Sequence, residues 1–304
     1  MTPYNSIAIA GMSKNAGKTT TLNHMIQGFA AQGHMPLGLT SIGLDGEETD
    51  QVTATPKPRI HVPLGTIIAT AEQLLSRREH GINDISREIL AVIDDITTPL
   101  GRVVVAQALS AGNVMLAGPS MASQIPALMQ ILRDWGATKI IIDGAVGRKS
   151  LAIPQAAQAV VLATGASLSK SMETVISETQ HIAAIFNTPT IGCDALCRPL
   201  PDEYIHIPGA ITDKKLSNHH GKHILADDPT KILITPKFLA MLRKSGGTLS
   251  VKTPINLVAI TINPTSPYGP TFDPDHFLTK MQAAVSVPVY NLVGATCGRK
   301  EPLC

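Results

Sequence analysis

Apolar residues along the chain gather into short runs without charge, separated by stretches with helical spacing. Residues 7–11 form a β-branched and alanine run, and residues 20–32 carry a helical pattern. Residues 36–43 read as a second buried strand; the segments 57–62 and 65–70 follow, and then helical patterns around 71–79 and 84–93. Two strand-like runs, 102–109 and 113–116, flank Ser110-Ala111-Gly112, which predicts a hairpin. A helix ending near Trp135-Gly136 leads to the apolar run 139–147, then to another buried run at 159–164, a helix over 169–186 and a short strand at 190–192. Strands that are apolar on both faces and alternate with helices predict a mostly parallel sheet covered by helices.

Pro199 and Pro201 mark a linker at 196–201. Beyond it the alternation restarts, with strands at 204–207, 224–226, 257–262 and 287–290. Helices are expected at 213–220, at 235–244 with Thr235-Pro236 as its start, and from Asp273-Pro274 onward. The expected organisation is a larger domain over 1–198 and a smaller C-terminal α/β domain over 199–304, which suits a chain of 304 residues.

Composition narrows the function classes. Formal net charge is +2 and aromatic residues make up 3 % of the chain, so neither a basic footprint nor a base-stacking surface points to nucleic acid. The start, Met-Thr-Pro-Tyr-Asn-Ser, has no basic, apolar leader pattern, and the uncharged stretch 151–168 is interrupted by Pro154, Gln155 and Gln158. A cytoplasmic protein without a membrane span is the expectation. Cys193, Cys197, Cys297 and Cys304 lack the paired spacing of a zinc site and read as free thiols.

The strongest chemical signal is at the beginning. The run 7–11 ends in Gly11, a loop of small and polar residues follows, and Gly17-Lys18-Thr19 opens the first helix. Strand, glycine loop and helix N-terminus together make a phosphate cradle, because successive backbone N–H groups and the unpaired donors of the first helical turn all point at the anion. In that reading Gly11, Ser13, Lys14, Asn15, Ala16, Gly17, Lys18, Thr19 and Thr20 hold ATP. Lys18 neutralises the outer phosphates and Thr19 offers a hydroxyl to Mg²⁺. Asp143 ends the apolar run after Lys139, at the strand end where ligands collect in open α/β sheets, and is expected to hold Mg²⁺; its other reading is a cap on the turn before Gly144. Asp45 ends the second strand in a local acid cluster with Glu47, Glu48 and Asp50, which reads equally as a solvated loop. Ser167 and Ser169 offer hydroxyls after the 159–164 run, where Ser169 also reads as a helix cap. His219, His220 and His223 read as surface residues. A guanine-reading Asn/Thr-Lys-x-Asp element is missing, since Thr230-Lys231 is followed by Ile232-Leu233, so adenine is the expected base.

Five residues separate Gly11 from Gly17, one more than in the common phosphate loop. This Gly-x₅-Gly-Lys-Thr form resembles dethiobiotin synthetase, the cobyrinic acid amide synthases and their relatives, a branch of the P-loop NTPases related to the MinD and signal-recognition families. That branch carries a second acid near the γ-phosphate at the position of Asp45, and the resemblance implies for Asp45 a catalytic role beside Lys18 and a share in the metal. Asp143-Gly-Ala-Val-Gly is similar to the Glu-Gly-Ala-Gly-Gly segment of dethiobiotin synthetase, and Gly165-Ala-Ser-Leu-Ser to its Gly-x-x-Leu-Gly element. Lys14 lies four residues before Lys18, whereas the additional lysine of MinD-type loops stands five before, so the intersubunit role of that lysine does not transfer with it. A closer resemblance spans Ser13–Thr20, Thr40-Ser-Ile-Gly-Leu-Asp-Gly-Glu, Lys57-Pro-Arg-Ile, Gly65-Thr-Ile-Ile-Ala-Thr-Ala and Ala163-Thr-Gly-Ala-Ser-Leu-Ser. These segments resemble the reactivase subunit family that accompanies lysine 5,6-aminomutase. The resemblance implies a P-loop fold, ATP and Mg²⁺ as ligands, weak Mg²⁺-dependent ATPase activity, and a switch acting on an adenosylcobalamin-dependent aminomutase or a companion subunit, with a homodimer as a further expected arrangement. The contrasting implication is an ATP-dependent ligase of the dethiobiotin synthetase type, acting on a small carboxylate or amine.

Overall fold

The computed structural model describes residues 3–43, 59–76, 84–98, 100–146, 157–191, 204–219, 221–267, 269–293 and 296–297. The chain divides into two compact units: Met1–Ile176 with Val258–Cys304, and Ser177–Leu257. This differs from the expected boundary at residue 198, and the reason lies in one strand. The apolar segment Leu257–Asn263 enters the first sheet beside Ala159–Gly165, so the end of the chain belongs to the first unit.

In the first unit, β1 (Ser6–Gly11), α1 (Lys18–Ala31), β2 (Leu37–Ser41), β3 (Ile60–Val62), β4 (Ile67–Ala71) and α2 (Glu72–Ser76) come first. They are followed by β5 (Arg87–Thr98), β6 (Gly101–Ala108), β7 (Gly112–Val114), α3 (Ile125–Asp134), β8 (Lys139–Val146), β9 (Ala159–Gly165) and α4 (Met172–Phe186), a helix within which the division between units falls. After the second unit come β15 (Leu257–Asn263), α7 (Pro274–Ala284), β16 (Val289–Asn291) and β17 (Thr296–Cys297). Ten of these strands form one sheet in the order β17-β16-β15-β9-β1-β8-β2-β4-β6-β5. From β9 through β1, β8 and β2 to β4 the strands pair parallel, while β17, β6 and β5 pair antiparallel at the margins. The expected α/β class with a large, mostly parallel sheet is thus observed.

Side-chain alternation assigns the helices to faces. Leu37 and Leu39 of β2 share a core with Leu22, Met25, Ile26 and Phe29 of α1 and with Ile7, Ile9 and Ile141. Gly38 points the other way, where an added Cβ would meet Ala137 and Ile140 at 3.0 Å and Leu132 of α3 at 3.5 Å. The two helices therefore cover opposite faces, and Gly38 leaves room for the close seat of α3. Burying this many aliphatic side chains is the main stabilising term of the unit.

Two expectations for the region after β4 are corrected. Residues 84–93 are not helical: β5 is a strand, paired antiparallel with β6. Its register shifts between Ile89 and Ala91 and again between Ile93 and Thr97. The first irregularity resets the alternation, so Ile89 and Val92, three residues apart as on one face of a helix, are both exposed although the backbone is extended. The hairpin joins β5 to β6, with Thr98 opposite Gly101, and not β6 to β7; β7 pairs instead with β3. Arg102 of β6 binds Glu72 of α2 and Asp94 of β5 at 3.0 and 2.9 Å, across exposed surface where such pairs add little stability.

The second unit contains β10 (Tyr204–His206), β11 (Ile211–Thr212), α5 (Asp213–Leu216), β12 (His223–Ala226), β13 (Ile232–Leu233), α6 (Pro236–Lys244) and β14 (Thr248–Val251). Strands β10, β12 and β14 form a parallel sheet, and β11 pairs parallel with β13. The 190–192 strand is a single parallel bridge from Thr190 to Val251. Helix α6 starts where its cap predicts: the Thr235 hydroxyl accepts from Phe238 N at 3.2 Å, Pro236 opens the first turn, and Phe238, Leu239 and Leu242 are buried.

Candidate functional site

The loop between β1 and α1 is built on two residues with positive φ. Gly17 has φ 95° and forms the N-cap position of α1, and Asn15 has φ 59°. A left-handed residue at the helix start turns the chain sharply, which glycine does without a Cβ penalty. No side chain caps α1 and no acid stands in its first turn, so the dipole and first-turn donors face the loop without a competing carboxylate.

Lys18 does not extend into solvent. It is 9 % exposed, lies over Gly11, where an added Cβ would sit 2.8 Å from its Cδ, and donates from Nζ to Gly144 O at 2.7 Å. Gly144 directly follows Asp143 at the C-terminal part of β8. Asp143 is 5 % exposed and stands in register with Ile9 of β1 on one side and Ser41 of β2 on the other. Since Ile7, Ile9 and Ile141 face α1, alternation places Asp143 on that same face, beside the loop. A register shift follows at once: Ile9 pairs with Asp143 but Gly11 with Val146. The irregularity presses Gly144 against Ile9 O, which an added Cβ would approach to 2.5 Å. The lysine singled out from sequence, at the start of α1, is thus bound to the backbone of β8 next to the acid singled out with it.

The end of β2 is tied to the same point. Ile42 N donates to Asp143 O at 2.9 Å, Gly43 N to Pro119 O at 3.0 Å, and Gly118 N to the Ser41 hydroxyl at 2.8 Å. Asp45 comes next, but residues 44–58 lie outside the described residues, as do Glu47, Glu48, Asp50 and Lys57. Of the remaining loop candidates, Ser13 shares a 2.8 Å hydroxyl contact with Ser167, Ala16 is buried, and Lys14 and Asn15 are exposed. Thr19 and Thr20 are half-buried in the first turn of α1. Ser169 is not the helix cap expected from sequence: it accepts from Ser171 N at 3.2 Å in the turn before α4, and Ser171 takes the cap position, its hydroxyl accepting from Thr174 N at 3.2 Å. His223 lies in β12, bound to the Thr248 hydroxyl at 2.7 Å, and no group of three or more metal-type side chains gathers among the described residues.

One contributor escaped the sequence reading because its strand was assigned to the other domain. Asn263, at the end of β15, donates from Nδ2 to Asn15 O at 3.2 Å and accepts from Thr265 N and its hydroxyl at 3.1 and 2.9 Å. Its carbonyl accepts from Ala166 N at 2.9 Å, and its Cβ leaves only 3.3 Å for one on Gly17. Thr21 of α1 meets Thr261 of β15 at 2.8 Å through their hydroxyls. The signal was present as an asparagine closing an apolar run just before Pro264. No protein-family model, curated protein or solved structure matches the chain.

Proposed function

We propose that the chain binds ATP with Mg²⁺ at the Gly11–Thr20 loop and acts as a nucleotide-dependent switch on an adenosylcobalamin-dependent aminomutase or its companion subunit. The observation that carries the nucleotide part is the convergence of Lys18 and buried Asp143 beside an uncapped helix N-terminus. The donor set fits the ligands: a hydroxyl at Thr19 and a carboxylate at Asp143 are hard oxygen donors of the kind Mg²⁺ takes, while Gly11 leaves room for the Lys18 side chain and Gly17 for Asn263. Bound Mg²⁺ would neutralise charge on the phosphate oxygens. Lys18 would leave the Gly144 carbonyl for the phosphates, and Asn263 would hold the loop through Asn15 O. The client part rests on the sequence segments that resemble the reactivase family.

A switch needs two states that a ligand binds unequally. The Asp143 carbonyl accepts from Ile42 N, and Ser41–Gly43 in turn holds Gly118 and Pro119. A shift of β8 at Asp143 is therefore transmitted to the end of β2 and the segment before α3. The test is thermal unfolding with and without ATP·Mg²⁺, together with hydrogen exchange in the ATP-analogue and ADP states. ATP·Mg²⁺ raises the Tm of the wild type by mass action, and Lys18→Ala loses most of that rise. Protection at Ser41–Gly43 depends on the γ-phosphate, and slow hydrolysis is stimulated by the aminomutase. Equal thermal protection of mutant and wild type overturns the nucleotide reading. Strong stimulation by a small carboxylic acid, with exchange indifferent to nucleotide, overturns the switch.

A further inference from the structure

Beyond the nucleotide reading, three polar side chains of the second unit meet at one place. His206 is the last residue of β10, Asp227 follows β12 and Lys252 follows β14. These strands are neighbours in one parallel sheet, so the three residues share its C-terminal edge, where open α/β sheets collect ligands. The ladder runs on past the strand ends. Ile207 N donates to Leu225 O, Lys252 N to Ala226 O and Thr253 N to Asp227 O, each at 3.0 Å. Backbone pairing thus holds the three side chains in register. Pro208, Pro229 and Pro254 each stand two residues beyond one of them, so the chain leaves the edge at the same offset three times, with φ fixed by the ring.

The contacts are graded. His206 Nε2 lies 2.8 Å from Asp227 Oδ1, which in neutral histidine places the proton on Nε2 and leaves the Nδ1 lone pair toward Lys252. Lys252 Nζ is 3.5 Å from that Nδ1 and 3.5 Å from Asp227 Oδ1. Both are long against the roughly 2.7–2.9 Å of a charge-assisted hydrogen bond. An ammonium has three donors, and the Lys252 side chain is 35 % exposed beside His206 at 29 % and Asp227 at 38 %. Lys215 straps the adjoining turn by donating from Nζ to Pro208 O at 2.9 Å and Ala210 O at 3.3 Å. The arrangement is an ammonium positioned by an Asp–His pair on a rigid edge, with donor capacity turned to solvent.

We propose that this edge is a second ligand site, which takes a small oxyanion, the phosphate or carboxylate of a metabolite, on Lys252. His206 and Asp227 act as positioning residues for the ammonium. The experiment follows the ring resonances of His206 in the full-length protein, assigned with His206→Gln, during separate titrations with inorganic phosphate and with acetate. A saturable shift with phosphate identifies a phosphorylated ligand class, and one with acetate a carboxylate class. Lys252→Gln weakens the apparent affinity about tenfold, the loss of one hydrogen bond to a charged group, Lys252→Arg restores it in part, and Lys18→Ala leaves it unchanged. A shift that stays linear with both anions, or that saturates in Lys252→Gln with the wild-type affinity, overturns the proposal, as does loss of saturation in Lys18→Ala, which would assign the binding to the loop at Gly11–Thr20.

Discussion

Asp84 shows what one residue contributes to the response of this protein to acid. Its carboxylate accepts from the backbone N–H of Asn113, the largest cause of a pKa held below the usual aspartate range, and also from the Asn113 side-chain amide at 3.1 Å. A depressed folded-state value means that the unfolded chain takes up the proton first as pH falls. The stabilisation is therefore complete above the ordinary aspartate range and is lost as pH drops through the lowered folded value. An NMR titration of the Asp84 carboxyl gives a midpoint below that of a free aspartate, and Asp84→Asn removes this part of the acid-side loss of stability. A midpoint at the ordinary value would detach Asp84 from the joint between residues 84 and 113. At the candidate site the same scale explains why Lys18 matters twice, as the phosphate partner proposed above and as the donor that satisfies Gly144 O in the ligand-free chain.

Strand β8 is the element on which the candidate site turns. Its register shift after Asp143 carries Gly144 under Ile9 O, with no room for a Cβ at 2.5 Å. Gly144→Ala forces the β1–β8 pair apart at the point where Lys18 docks. Overpacking of this kind costs about 1–3 kcal/mol. Urea unfolding is expected to show a lower midpoint with an unchanged slope, along with a weaker thermal response to ATP·Mg²⁺. A variant as stable as the wild type would show that β8 absorbs the methyl without opening. Strand β5 teaches the opposite lesson about elements: it is an edge strand with exposed Ile89 and Val92, and pairing with β6, not its own pattern, makes it a strand.

At the scale of the whole molecule the chain is two units of unequal core. The first buries a ten-stranded sheet, while the second rests on a three-stranded parallel sheet and a two-stranded one. A smaller unit buries a smaller fraction of its surface and opens at lower free energy. Native-state hydrogen exchange tests this directly: the amides of Ile224 and Leu225 in β12 exchange before those of Ile9 in β1 and Ile141 in β8. Simultaneous exchange of both sets would mean that the units open as one. No helix among the described residues is long and apolar enough to cross a membrane.

Much of the site was legible in the sequence because its chemistry is local. Gly11, Gly17, Lys18 and Thr19 lie within one strand–loop–helix unit, where φ restrictions, helix-end donors and the reach of one lysine act over a few residues. The starts of α6 and α7 were legible for the same reason, since Thr235-Pro236 and Asp273-Pro274 carry their caps beside them. The tertiary structure alone decided which strands are neighbours. Parallel strands buried on both faces have nearly the same composition, so nothing within Leu257–Asn263 says that it pairs in the first sheet, brings Asn263 to the loop and moves the domain boundary. The meeting of His206, Asp227 and Lys252 was hidden in the same way: each is an ordinary polar residue ending a short run, and only the lateral pairing of three strands, set by long-range hydrogen bonds, puts their side chains within reach of one another.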